Sequence, residues 1–375
     1  VILYLRLGWV VGHAGLWEAV VIVLAAHVVT TITSLSISAI ATNRTVGTGG
    51  AYFMLSRSLG AELGGAIGVP LYFAQALSYA LYIIGFTEAL RAIAPGVNPR
   101  IAGAVVCVAL TGLSLWSASV AIKTQYLVMA AIVLSLVSFV FGPFGADPGA
   151  AAWPTTVAGD APVPLATVFA VFFPAVTGIT AGISMSGDLR DPRRAIPRGT
   201  LAAVAVGLVV YLGLTVLLGL KASTTALRGD FQIMQHLSLV PGLVLAGVMG
   251  ATLSSAVGTV LGAPRTLQAL ARDRVVPRLL GRGSGDTDAP RIGTVATFGI
   301  ALGGVLLGDL DLIAPILTMF FLVTYGMLNL ACALQTWADS PSFRPEFKAP
   351  AWVSFFGAAA SMRSGVRTSA STRKR

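Results

Sequence analysis

The chain has 375 residues, of which 55% are apolar and only 11% are charged, and its mean hydropathy is +0.83. Soluble domains carry about a quarter charged residues, so this composition excludes an ordinary soluble fold. The net charge of +10 does not indicate nucleic-acid binding, because the basic residues lie in short segments between long apolar runs. Runs of about 20 residues predict membrane-spanning helices, and short alternating segments typical of a β-barrel are missing.

Ten apolar runs follow one another along the chain and predict ten spans. In chain order they cover 1–13, 17–41, 64–94, 101–116, 122–141, 164–186, 201–220, 241–270, 292–307 and 310–337. A further run, 351–360, is too short to span and gives way to a basic tail that does not fit the rest of the chain. The first residue already lies inside an apolar run. The sequence therefore predicts a fragment truncated at both ends.

The loops alternate in charge. Cytoplasmic loops of membrane proteins collect Lys and Arg, and the basic residues cluster after the second, sixth and eighth spans. The long segment 143–163 and the turn between the ninth and tenth spans contain none. This alternation predicts a multi-pass protein of the cell membrane with a cytoplasmic N-terminus. It also predicts an extracellular loop at 143–163, and a cytoplasmic loop followed by a truncated eleventh span within 338–375.

Ten spans of alternating orientation permit an inverted repeat of five plus five, with 1–142 and 164–337 as the two halves. In that architecture the first and sixth spans are discontinuous at the bilayer midplane. The sixth span fits, because Pro174 lacks a backbone donor and Gly178 and Gly182 weaken the helix after it. A simple proline kink or a small-residue packing seam would give the same pattern, so the residues alone leave these alternatives open.

The acidic residues predict the kind of site. All 15 lie in loops or near span ends, with Glu88 and Asp188 the nearest to a span interior. Carriers that neutralise a bound cation usually place a carboxylate at mid-membrane. Here neutral oxygens must hold any cation, and the N-terminus of a half-helix beyond Pro174 could hold an anion beside it. No catalytic set, metal-ligand spacing or phosphate loop is present, so we expect no enzyme.

Three runs of the sequence are specific enough to compare with known families, namely ALYIIGFTEAL at 80–90, FAVFFPAVTGITAGISMSGDLRDPRRAIPRGT at 169–200 and ATLSSAVGTVLGAPRTLQALARD at 251–273. They resemble the cation–chloride cotransporters, and among these the sodium-potassium-chloride cotransporters, within the amino acid–polyamine–organocation superfamily. The run at 169–200 is the most specific of the three. The resemblance covers the chain from residue 1 to about residue 360. It implies an all-α polytopic fold of five plus five helices with discontinuous helices 1 and 6.

The resemblance also implies roles for individual residues. The implied potassium ligands are Tyr82, Pro174 and Thr177. The implied chloride ligands are Val1, Ile2, Gly178, Ile179, Thr180 and Tyr325. The implied sodium ligands are Ala251, Ser254 and Ser255, and the implied outer gate is the pair Arg6 and Glu88. The sequence departs from the family at Ser184, where the family has Asn, and the motif that precedes the first span is missing.

These residues imply a symporter that moves chloride together with potassium and sodium by alternating access. Its substrates would be inorganic ions, its environment the lipid bilayer, and it would bind no cofactor, no further metal and no nucleic acid. The full-length protein would be a homodimer. Two other carriers stay open, a sodium-independent potassium–chloride symporter and an amino acid permease of the same superfamily. A membrane subunit that transports nothing is the alternative of a different class.

Overall fold

The computed structural model describes residues 1–43, 49–116, 118–145, 163–184, 191–285, 288–308, 310–339 and 343–372. Across these ranges the fold is helical and contains no strand, apart from an isolated bridge between Ser284 and Ala289. The helices are α1 (Ile2–Leu5), α2 (Leu7–Ala14), α3 (Leu16–Asn43), α4 (Ala51–Leu59), α5 (Ala61–Leu90), α6 (Pro99–Trp116), α7 (Ala118–Val140), α8 (Leu165–Phe172), α9 (Ile179–Ser184), α10 (Pro192–Lys221), α11 (Thr224–Gly229), α12 (Ile233–His236), α13 (Pro241–Arg272), α14 (Arg291–Leu307), α15 (Leu310–Trp337) and α16 (Ala351–Thr372).

Six of these helices are long and apolar enough to cross a membrane, namely α3, α5, α6, α10, α13 and α15. Shorter apolar helical stretches cover 125–140, 165–176 and 291–307. The predicted all-α membrane fold is therefore confirmed, and most predicted spans coincide with a helix to within a few residues. The seventh begins earlier than predicted, because the helix already starts at Pro192, which fits the first helical turn. The inverted repeat stays a prediction.

The spans divide into an inner and an outer group. In the most apolar 18-residue stretch of each helix, 72% of the residues of α5 and 67% of those of α15 are buried. The corresponding fractions are only 17% for α6 and 22% for α10. The outer helices carry exposed apolar side chains such as Val105, Val206 and Val209. Because lipid tails are as apolar as these side chains, they need no protein cover in a bilayer. Helix α5 packs on both α13 and α15, and these two contact the interrupted sixth span, α13 at its second half and α15 at its first half.

The sixth span is interrupted where the sequence predicts it. Helix α8 ends at Phe172, a 3₁₀ turn covers Phe173–Val176, and α9 begins at Ile179. Pro174 lies inside the turn and cannot donate to an α-helical ladder. The first span is also broken, at Arg6, whose φ of −130° and ψ of −14° separate α1 from α2. The resemblance implies a discontinuous helix 1, but no residue pattern predicts a break at Arg6.

The end of the chain differs from the prediction. The apolar run expected to stop at residue 360 continues as one helix, α16, to Thr372. A stripe of small residues, Ser354, Ala358, Ser361 and Gly365, is buried, and α16 packs on α15 and α3. Small residues at helical spacing allow close helix packing without an apolar run, which explains why hydropathy alone misplaces the end of the helix.

Candidate functional site

A small cavity lies against the interruption of the sixth span. The space that it leaves for a water-sized sphere is about 20 Å³, which suffices for about one water molecule. We call it the central cavity. It lies between α5, α13, α15 and the break, and its lining residues are Gln75, Ser78, Tyr82, Thr177, Gly178, Thr180, Gly258, Thr259, Gly262, Ala263 and Phe321.

The Ser and Thr hydroxyl groups that line the central cavity use their protons in hydrogen bonds to the backbone. Each donates a hydrogen bond to a backbone carbonyl three or four residues earlier in the chain, at 2.8 to 3.2 Å. The four donors are Ser78, Thr177, Thr180 and Thr259. A hydroxyl whose proton is used can still offer its lone pairs. The cavity is therefore lined by oxygens that can accept a proton or contact a cation.

No carboxylate is among the residues that line this cavity. In the ranges that the structure describes, no group of three or more His, Cys, Asp or Glu side chains could hold a metal ion. Neutral oxygens can bind a dehydrated monovalent cation without a fixed negative charge, as backbone carbonyls do in ion filters. The chemistry of the lining thus fits a singly charged ion better than a resident transition metal.

Two of the three predicted potassium ligands line the central cavity. Tyr82 lies there with Thr177, whose side chain is buried. Pro174 is buried in the 3₁₀ turn, and its carbonyl accepts the Thr177 hydroxyl at 2.9 Å. The structure therefore brings Tyr82 and Thr177 together at the central cavity, whereas Pro174 does not line it.

The predicted chloride ligands lie in two places. Gly178 and Thr180 line the central cavity, and Ile179 begins α9 beside them. The Tyr325 hydroxyl reaches the same break but donates to the Thr177 carbonyl at 2.9 Å. To bind an anion, this hydroxyl would have to leave Thr177.

The remaining chloride candidates, Val1 and Ile2, lie at the start of α1, which contacts the 3₁₀ turn of the sixth span. Val1 packs on Gly85 of α5. The first amides of a helix have no partner inside that helix, so the backbone around Ile2 has donors of the predicted kind. The central cavity does not extend to either residue.

A second cavity lies on another side of the break, and we call it the side cavity. It leaves about 150 Å³ for a water-sized sphere and is lined mainly by α3, α10 and the break, including His27, Thr30, Gly178, Gly207 and Tyr211. Gly178 lines both cavities, and a methyl group added there would contact nothing within 4 Å. The backbone at Gly178 therefore has open space beside it.

The predicted sodium ligands lie on α13, outside the central cavity. Ala251, Ser254 and Ser255 are partly buried, and the Ser255 carbonyl accepts the hydroxyl of Thr259, which does line the cavity. The Ser254 hydroxyl donates to the side-chain oxygen of Gln125 on α7. Gln125 also donates to the Ser254 carbonyl at 3.4 Å. The sequence does not identify Gln125.

Arg6 and Glu88, the predicted gate residues, form a bidentate ion pair. Both terminal nitrogens of Arg6 lie 3.1 Å from Glu88 oxygens, and Arg6 is only 2% exposed. A third residue, Asp311 at the start of α15, accepts the Arg6 Nε at 2.8 Å. The guanidinium also lies 4.0 Å above the ring of Phe231. We call Arg6, Glu88 and Asp311 the paired end, and it fastens the break in the first span to α5 and α15.

Sequence reasoning missed three polar residues at these sites. Asp311 is 305 residues from Arg6, so no local pattern connects them. Gln75 and Gln125 are neutral residues in apolar spans, and neither stands out by charge. One signal could have found the two glutamines, since large polar side chains are expensive in a membrane helix and need a partner or a function.

Comparison with known proteins agrees with this architecture. Residues 1–364 match the family model described as amino acid permease. The chain is 37% identical to solute carrier family 12 member 2 of Mus musculus, over 96% of this chain and 35% of the relative. It is 35% identical to solute carrier family 12 member 1 of Homo sapiens, over 96% of this chain and 38% of the relative. The chain thus spans little more than a third of these relatives, and the resemblance indicated by its motifs is confirmed.

Proposed function

This chain belongs to the amino acid permease family, membrane transporters rather than enzymes, and on that premise we propose that it moves chloride together with potassium and sodium. Transport would proceed by alternating access, with the central cavity reached first from one side of the membrane and then from the other. The ions themselves are the substrates, and no cofactor is required.

One observation carries this proposal, namely the oxygen lining of the central cavity beside the start of a half-helix. Ser78, Thr177, Thr180 and Thr259 have used their protons on backbone carbonyls, which leaves lone pairs for a cation. The amides at the start of α9 lie next to these oxygens and carry the positive end of peptide dipoles. A cation and an anion bound side by side would neutralise each other, and the lining residues need no charge of their own.

We propose the individual roles that the resemblance implies, and the positions of the residues around the break support them. Tyr82 and Thr177 would contact potassium, with the Pro174 carbonyl joining when the break rearranges. Gly178, Ile179, Thr180 and Tyr325 would bind one chloride, and Val1 and Ile2 would contribute to another. Ala251, Ser254 and Ser255 would bind sodium. Arg6 and Glu88 would close the path to the outside, with Asp311 as a further partner.

We also propose how the protein is oriented in the membrane and how it assembles. The loop charges support a cytoplasmic N-terminus and an extracellular loop over 143–163. The resemblance implies a homodimer. Cross-linking of the protein in membranes would test assembly, and accessibility of a cysteine placed in each loop would test topology.

Tracer rubidium uptake into vesicles that contain the protein tests the ion set, because rubidium substitutes for potassium. Sodium and chloride are replaced one at a time by impermeant ions at constant ionic strength. We expect uptake to fall to the level of empty vesicles in both replacements.

The other outcomes distinguish the alternatives. Uptake that needs chloride but persists without sodium would identify a potassium–chloride symporter and remove the sodium role of Ser254 and Ser255. Uptake of amino acids that is independent of chloride would favour an amino acid permease and overturn the cotransport proposal.

A further inference from the structure

Gln75 is the one residue of the central cavity lining with a buried side-chain atom that lacks a hydrogen-bond partner. The side chain lies on α5 and is 5% exposed, and its amide oxygen is buried and accepts no hydrogen bond. A buried amide oxygen that accepts no hydrogen bond destabilises the folded protein, because its desolvation is not compensated. Such a group in an apolar span calls for a ligand that the protein binds at another time.

The hydrogen bonds of Ser184 determine which amide atom is left free. The Ser184 hydroxyl donates to the Thr180 carbonyl at 2.8 Å, so it has no second proton to offer Gln75. Ser184 must therefore accept from Gln75, and the amide nitrogen of Gln75 lies 3.1 Å from it. The free atom of Gln75 is consequently the carbonyl oxygen, a cation ligand, and not the amide nitrogen, an anion ligand.

Gln75 shares one face of α5 with two other residues of the lining. Ser78 and Tyr82 follow it by three and seven residues, which places all three side chains on one side of the helix. At 1.5 Å per residue, Gln75 lies about 10 Å along the helix axis from Tyr82. Glu88 of the paired end lies about 9 Å from Tyr82 in the opposite direction. Gln75 therefore extends the oxygen lining away from the paired end.

We propose that Gln75 is a cation ligand and that its amide oxygen forms a second position for an alkali-metal cation in the central cavity. The hydroxyl oxygens of Ser78, Thr180 and Thr259 complete this position, because all three line the same cavity and have used their protons elsewhere. The inference rests on the proposed function. It adds a position that a cation occupies after it leaves Tyr82, on the side away from Arg6.

Two substitutions of Gln75 test this position in the rubidium uptake assay. Gln75→Leu keeps the size of the side chain and removes the oxygen, and we expect it to raise the apparent KM for rubidium about tenfold, the lower end of the effect of one polar contact to a charged group. Gln75→Glu replaces the neutral oxygen by a carboxyl group. We expect its rubidium KM to fall as the pH rises, because the ionised carboxylate attracts a cation strongly in a medium of low dielectric constant.

Gln335 provides the matched control. It lies on α15, it is not part of the central cavity, and its side-chain oxygen is also buried without a hydrogen-bond partner. Gln335→Leu and Gln335→Glu should leave the rubidium KM within about twofold of that of the unchanged protein, since Gln335 lies outside the central cavity. These variants thus measure the effect of changing a buried glutamine that does not line the central cavity.

The outcomes separate this inference from the function on which it rests. If the unchanged protein takes up rubidium with chloride dependence, and Gln75→Leu matches Gln335→Leu, the role of Gln75 is wrong and the cotransport proposal stands. If the unchanged protein shows no chloride-dependent uptake, the proposed function itself fails. Should Gln75→Leu not reach the membrane, Gln75→Glu decides the question, and a rubidium KM that does not change with pH would overturn the inference.

Discussion

The paired end and the central cavity differ in how their buried polar groups are satisfied. At the paired end a buried guanidinium contacts two carboxylates, at 3.1 Å for Glu88 and 2.8 Å for Asp311. In the central cavity the lining residues are neutral, and the Ser and Thr hydroxyl groups donate to backbone carbonyls, which leaves their lone pairs available. At the paired end, the ion pairs hold the helices together. In the central cavity, oxygen atoms with available lone pairs can bind an ion.

This difference has consequences for mutation. Removal of one partner from a buried charge pair leaves the other charge unpaired, which destabilises the whole protein. Removal of one oxygen from the cavity leaves the helices in place and weakens one ligand. The paired end should therefore respond in stability, and the central cavity should respond in ion affinity.

The largest effect is expected for Arg6→Ala. It removes the buried partner that Glu88 and Asp311 share and should lower the free energy of unfolding by about 2 to 3 kcal/mol, less than for a fully buried pair, because the two carboxylates are 30% and 45% exposed. Thermal unfolding of the purified protein in detergent measures this change, and uptake into vesicles should be lost with it.

Arg57→Ala is the matched control for that experiment. Arg57 also pairs with a carboxylate, Asp273 at 3.3 Å, but its side chain is 47% exposed. An exposed pair contributes about 1 kcal/mol or less. Equal destabilisation by Arg6→Ala and Arg57→Ala would contradict the view that the paired end holds the fold together.

A smaller and more selective effect is expected for Tyr82 on α5 and Tyr325 on α15, which lie beside the sixth-span break. Tyr82→Phe should raise the apparent KM for rubidium about tenfold and leave that for chloride within about twofold, because the lost hydroxyl contacts the cation. Tyr325→Phe should do the reverse. The two constants are measured in the same vesicles by varying one ion at a time, and parallel changes in both constants would refute the separate assignment.

The smallest effect is expected for Ser254→Ala on α13. It should raise the apparent KM for sodium about threefold, since one neutral ligand of several is removed. Thr252→Val is the control, because Thr252 lies on the same helix, is fully buried and donates only to backbone carbonyls of its own helix. If both variants change the sodium constant equally, the effect comes from the helix and not from a sodium site.

The sequence predicts the fold well because hydrophobic length is a strong signal in membrane proteins. The same holds for the break at Pro174, since the ring removes a donor wherever it lies in a helix. The helical end of the chain escaped prediction, because Ser361 and Gly365 are buried by close packing and not by their hydropathy.

Only some of the partners that lie far apart in the chain can be identified from the sequence. A buried Arg6 demands an acidic partner, and Glu88 was predicted on that ground together with the resemblance. Asp311 was not, because its position at the start of α15 looks like an ordinary polar end of a span. Gln75 likewise requires the structure, since only the hydrogen bond to Ser184 shows which of its atoms stays free.

The open space beside Gly178 has a mechanical meaning. The short helix α9 borders both the central and the side cavity, and added methyl groups at Gly178 and Gly182 would contact nothing within 4 Å. Segments with few packed neighbours move at low cost, because little close contact is lost when they shift. We therefore expect the chain at Gly178 to shift at low cost, while the buried Ile183 and Ser184 hold the far end of α9 in place.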